Sequence, residues 1–168
     1  MINAEDRNKA RIIELPTCEM VTSGICAGKE ASSENGRLRR FEKWFAKQDA
    51  LRKDRFYSRD FMWWDEKAGG SAWGLAVTDI PEDTGGFDII DFPGGLYAVA
   101  NFVDDADAPG DVFTVVGMLN AWVDNSGCFE ADPNRNYLNH FIGTRRAAES
   151  MGYHQQDIYM PIRIREEK

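Results

Sequence analysis

Gln156-Asp157-Ile158-Tyr159-Met160-Pro161-Ile162-Arg163-Ile164-Arg165, near the end of the chain, decides the fold. Ile158, Met160, Ile162 and Ile164 alternate, so one face of a strand is apolar. Asp157, Tyr159 and Pro161 fall on the other face. An acid and an aromatic two residues apart on one face suit a pocket for a flat or cationic ligand. From alternation alone the favoured reading is the polar face of an edge strand, where a proline is tolerated.

Working outward, a second strand runs from Phe87 to Phe92, is broken at Pro93-Gly94-Gly95, and resumes from Leu96 to Val103. Between it and the closing strand, Val112, Val115, Val116, Leu119, Trp122 and Val123 recur at helical spacing. Asp111 is placed to cap that helix and Gly127 to end it. Residues 128–134 read as a loop, 136–142 as a weak strand, and 143–152 as loop or a helical turn. The first half repeats this order. Strands cover Ala10–Leu15 and Cys18–Ser23. A helix over 34–52, with Ser33 as N-cap, carries Leu38, Phe41, Trp44 and Phe45 on one face and a basic face opposite. Two strands follow, Phe56–Trp64 and Ser71–Thr78. The order of elements repeats although no residue-level repeat is visible, and the acidic loop 79–86 is the natural midpoint. The expected fold class is α+β: two β-α-β-β units with antiparallel sheets, two helices covering one face and a groove where the halves meet. Residues 1–9 read as a flexible arm and 10–168 as a single domain.

The 168 residues are 43% hydrophobic and carry a net charge of −8. With a pI near 4.8, the surface argues against direct nucleic-acid binding and against an anionic membrane. No apolar run approaches the length of a membrane span. The three cysteines, Cys18, Cys26 and Cys128, have no metal-type spacing, and their odd number favours reduced thiols in a cytoplasm. His140 and His154, the only histidines, have no ligand partners at useful spacing, so no metal and no cofactor are expected. No nucleophile elbow, metalloprotease helix or phosphate loop is present, and no catalytic residue is assigned. The distinctive feature is the interleaving of aromatics with acids: Asp60-Phe61-Met62-Trp63-Trp64-Asp65, Asp91-Phe92 and Asp157-Ile158-Tyr159. Aromatic faces and a desolvated carboxylate are the two devices that hold lipophilic cations.

These passages occur in the order found in one family. Ile12-Ile13-Glu14-Leu15-Pro16, Phe61-Met62-Trp63-Trp64-Asp65, Asp91-Phe92-Pro93-Gly94-Gly95-Leu96-Tyr97, Ala121-Trp122-Val123-Asp124-Asn125-Ser126-Gly127 and Asp157-Ile158-Tyr159-Met160-Pro161 together resemble the gyrase-inhibitor-like, or bacterial transcription activator effector-binding, domain. The resemblance implies two units related by a pseudo-twofold around a central ligand groove, with 10–168 as a single effector-binding domain that stands alone, without a DNA-binding region, and takes up hydrophobic and cationic small molecules for drug or effector sensing or sequestration. It implies Asp157 as counter-charge, and Tyr159, Trp64, Tyr97, Phe92, Trp73 and Phe61 as walls. It leaves open a protein partner or a homodimer. Two alternatives go with it: a hydrolase of reactive small molecules using a pocket carboxylate, and a protein-binding inhibitor. The family acid is usually Glu, and the shorter Asp157 weighs against water activation, which needs close approach.

Overall fold

The computed structural model describes residues 9–48, 60–105, 111–143 and 145–166. Residues 1–8 of the expected arm and residues 49–59, which include the start of the Phe56 strand and the end of the first helix as read above, lie outside these. The fold is α+β. The chain forms two compact units: residues 1–15 with 95–168, and residues 16–94.

In the first unit, β1 (Arg11–Leu15), β6 (Gly95–Asp105), β9 (Tyr153–Ile164) and β8 (Leu138–Ile142) lie in that order. Every ladder between them is antiparallel. The short strand β7 (Phe129–Ala131), at residues read above as loop, pairs with the end of β9. Helix α2 (Val112–Ser126) begins at Asp111, whose side chain accepts from the Phe113 N–H at 2.9 Å, and stops at Gly127 with φ 76°. Both ends are as the sequence signals. Leu119 and Val123 of α2 pack on Ala98, Ala100, Ile158, Met160 and Ile162. The apolar face of the closing stretch is therefore core, although Ile164 at its end is 65% exposed. A third helix, α3 (Arg145–Met151), fills the stretch left open between turn and loop.

β9 is central, not an edge strand, and Pro161 fits there for a local reason. β8 stops at the Leu138–Tyr159 pair and β7 begins at the Ala131–Ile162 pair, so Pro161 falls in the gap between them. Its carbonyl accepts from the Asp132 N–H at 3.0 Å on that same side. In an antiparallel ladder a residue's N–H and C=O point the same way, so the donor that proline lacks would have faced the gap.

The second unit orders its strands β3 (Asp60–Asp65), β4 (Gly70–Val77), β2 (Cys18–Thr22), β5 (Asp88–Phe92), again antiparallel. Helix α1 is shorter than expected, Arg37–Phe45, and a short 3-10 helix (Lys29–Ser32) precedes it. Ser33 does not cap it. Its carbonyl accepts from the Gly36 N–H in a separate turn, and Gly36 takes the N-cap position with extended backbone and no side-chain bond. Phe41 of α1 is fully buried against Val21, Leu75 and Val77, with Trp44, Phe45, Trp73 and Phe87 around it.

The units repeat one topology, and a residue-level repeat does exist. Arg11-Ile12-Ile13-Glu14-Leu15-Pro16 matches Asp88-Ile89-Ile90-Asp91-Phe92-Pro93. Leu15 pairs with Gly95 as Phe92 pairs with Cys18, each just before its proline. β1 leads into β2 but pairs with β6; β5 leads into β6 but pairs with β2. This exchange moves the boundary from the acidic loop 79–86 to Gly94–Gly95, because β5 bonds to the sheet of the preceding residues. Counting along β4 and β9 from the matched pairs sets Ala72 opposite in role to Asp157, and Gly74 to Tyr159.

Candidate functional site

Alternation sorts the first unit's side chains into two faces. With the Ile158 face given to α2, Asp157 and Tyr159 lie on the other. Register adds Tyr97, Val99 and Asn101 of β6, Leu138 and His140 of β8, and Arg11 of β1. Asn101 and His140 are the direct cross-strand partners of Asp157. Tyr97 and Tyr159 meet edge to face with ring centroids 6.0 Å apart, an arrangement that aromatic quadrupoles favour. Both are almost completely buried.

Asp157 is a buried carboxylate in the middle of a sheet. Its side chain is 9% exposed, against 57% for Arg11, which donates from Nη2 to Asp157 Oδ2. The other oxygen, Oδ1, is buried and has no hydrogen-bond partner among the described residues. Leaving such an atom unsatisfied costs about 1–3 kcal/mol. The sequence marks Asp157 but not Arg11, because the ion pair spans almost the whole chain and crosses β6.

Arg135 is a second feature that sequence reasoning missed. It stands 4.8 Å from the Tyr97 ring centroid and donates to Asp132 at 2.8 Å, to the Leu96 carbonyl at 3.0 Å and to the Ile162 carbonyl at 2.7 Å. It ties the end of the β6–β9 ladder. Gly95 makes room for it: with φ 105°, a Cβ there would stand 2.5 Å from Arg135 Nη1. The Arg135 hydrogen bond holds the Asp132 carboxyl below its ordinary range. Burial raises the Tyr97 phenol above its ordinary value, with Arg135 opposing, so the phenol stays neutral.

The other four expected wall residues belong to the second unit, and they divide. Phe61 and Phe92 lie on the face away from α1, buried and stacked with centroids 6.3 Å apart at 11°. Trp63, which was not singled out, shares that face and leans over Gly74, whose missing Cβ would stand 3.0 Å from its ring. Trp73 sits on the opposite face in the α1 core. Its ring is 6.2 Å from Phe41 and its N–H donates to Asp60 at 3.2 Å. Trp64 shares the register face of Trp73 and is 57% exposed. Trp73 therefore packs on the α1 side and Phe61 on the other, because neighbouring residues of β3 and β4 alternate faces.

The second unit also has a shallow cleft of about 180 Å³ lined by Arg37, Arg40, Trp44, Gly85, Gly86 and Phe87. Arg37 is already engaged there with the Ser23 carbonyl and Asp88. Among the described residues no group of three or more His, Cys, Asp or Glu could hold a metal, and no helix is long and apolar enough to cross a membrane.

No family profile and no curated protein sequence matches the chain. Solved structures do. A hydrolase from Listeria innocua matches with TM-score 0.60 and 15% identity over 92% of each chain. SAV2435 bound to tetraphenylphosphonium matches with TM-score 0.53 and 17% identity, over 92% of this chain and 93% of that one. The C-terminal domain of EcmrR matches with TM-score 0.55 and 12% identity, over 92% and 96%. The chain shares its fold with these proteins along nearly its whole length.

Proposed function

We propose that this chain is a small-molecule-binding module of the gyrase-inhibitor-like kind, taking hydrophobic cations with Asp157 as the charged anchor. The observation that carries this is the buried Asp157 carboxylate, one oxygen of which lacks a partner, beside Tyr159 and Tyr97 on the face away from α2. A dry carboxylate attracts a cation far more strongly than an exposed one, and each aromatic face adds about 0.5–2 kcal/mol. The shared fold with tetraphenylphosphonium-bound SAV2435 and with the EcmrR C-terminal domain supports the reading. The natural role would be effector sensing or sequestration.

The hydrolase alternative draws on the Listeria protein of the same fold. It asks Asp157 to take a proton from water through Oδ1 while Arg11 holds Oδ2. Asp157 is one methylene shorter than the acid usual in the family, and a general base needs close approach to its water, so binding is the better-supported role.

The deciding experiment is an isothermal titration with tetraphenylphosphonium and with neutral triphenylphosphine oxide, on wild type and Asp157→Asn. Saturable binding of the cation, weakened at least tenfold by Asp157→Asn with little change for the neutral compound, is the expected result. Equal affinity of wild type and variant for the cation would refute the anchor. Turnover of a strained electrophile, lost in Asp157→Asn, would move the assignment to the hydrolase.

A further inference from the structure

Resting on that reading, we infer that Arg11 is a resident cation of the Asp157 site, which a ligand cation displaces. Arg11 thereby sets how selective the site is.

The geometry is asymmetric. Asp157 is fixed in the central strand, with β6 on one side and β8 on the other. Arg11 reaches it from β1, across the whole width of β6, and remains more than half exposed. A half-hydrated guanidinium can withdraw into water at small cost, whereas a carboxylate buried in the sheet cannot follow it. Arg11 therefore keeps the buried charge neutralised when nothing else does. While it stays, an approaching cation meets a pair with no net charge and gains little from Asp157.

The pair is not a demand of the topology. In the second unit the matched positions hold Asp88 and Ala72, and Asp88 pairs with Arg37 of α1 instead of across the ladder. The same ladder closes there without an ion pair across it. Asn101 and His140, the direct neighbours of Asp157, come from strands that bond to β9 along their length. Arg11 alone sits at the end of a strand, two strands away, on a side chain that can swing.

Displacement makes a cation selective in a graded way. It must outcompete a guanidinium, so a ligand needs both charge and enough apolar surface to fill the space that Arg11 leaves. Small hydrophilic cations would fail where bulky aromatic ones succeed.

The test uses the phosphonium titration on wild type, Arg11→Gln, Asp157→Asn and the double variant, with thermal melts to establish folding. Arg11→Gln is expected to tighten the cation about fivefold to tenfold, the scale of one charge-assisted hydrogen bond to a partly exposed donor. It should leave triphenylphosphine oxide within twofold. In the Asp157→Asn background the same change should give no gain, because the competitor then has nothing to occupy. Equal tightening in both backgrounds would make Arg11 a through-space charge and overturn displacement. Unchanged affinity in Arg11→Gln, with the Asp157 effect intact, would overturn the role of Arg11 and leave the anchor standing. No cation binding by any variant would overturn both. Should Arg11→Gln not fold, Arg11→Lys carries the test: it keeps the charge but loses the planar donor fork, and should tighten the cation by about twofold. Weaker binding in Arg11→Lys would count against displacement.

Discussion

Replacing Arg135 by methionine tests whether the closed end of the β6–β9 ladder depends on one guanidinium. Methionine keeps most of the aliphatic stem and removes every donor. The Leu96 and Ile162 carbonyls, which accept at 3.0 and 2.7 Å, lose their side-chain partner. Asp132, only 16% exposed in its side chain, loses its counter-ion. Each charge-assisted bond contributes about 1.5–3 kcal/mol net, but they share one group and do not add. The pair is only partly buried, so we take about 2–4 kcal/mol, between the cost of breaking an exposed pair and a buried one. At about 2–4 °C per kcal/mol for a chain of this size, the melting temperature should fall by about 4–16 °C. The acid limb gives an independent check. Asp132 has a carboxyl held below its ordinary range in the folded protein. Its contribution is therefore present above the unfolded value near 4 and is lost as pH falls through the folded one. The gap between wild type and Arg135→Met, read from urea midpoints, should be constant above about pH 5 and narrow as pH falls below about 4. A loss below about 1 kcal/mol would refute the reasoning, since that is the scale of an exposed pair. So would a gap that does not change with pH.

Three further outcomes follow from the structure. Gly95→Ala places a Cβ against Arg135 at a φ of 105°, and should destabilise by about 2–4 kcal/mol in the same urea assay. Asp111→Ala removes the N-cap of α2 and should cost about 1 kcal/mol, with the loss seen as a lower melting temperature and little change in cation affinity. Thiol titration under native conditions should modify exposed Cys128 first and buried Cys26 last. Cys18, whose thiol is raised by burial, should react faster as pH climbs past 9. Equal rates for all three cysteines would contradict their burial.

Periodicity alone made most of the fold legible. The two apolar helix faces, the Asp111 cap, the Gly127 stop and the alternation along β9 are local signals, each determined within a few residues of itself. The same alternation set Asp157 and Tyr159 on one face before any contact was known. Where the sequence misled, a neighbour in space overrode a local preference. Pro161 suggests an edge but sits in a central strand, because β7 and β8 leave a gap opposite it. Trp73 and Phe61 look alike as strand aromatics, yet register carries the two to opposite faces. The exchange of β1 and β5 between the units hid both the true boundary and the Ile-Ile-acid repeat. Sequence by itself determined the elements, their order and the acid of the candidate site. Only the tertiary structure decided what that acid meets. Arg11 and Asp157 are far apart along the chain, and Arg135 acts on carbonyls that every residue possesses. Pairings of that kind depend on strand register, and no local pattern of side chains encodes them.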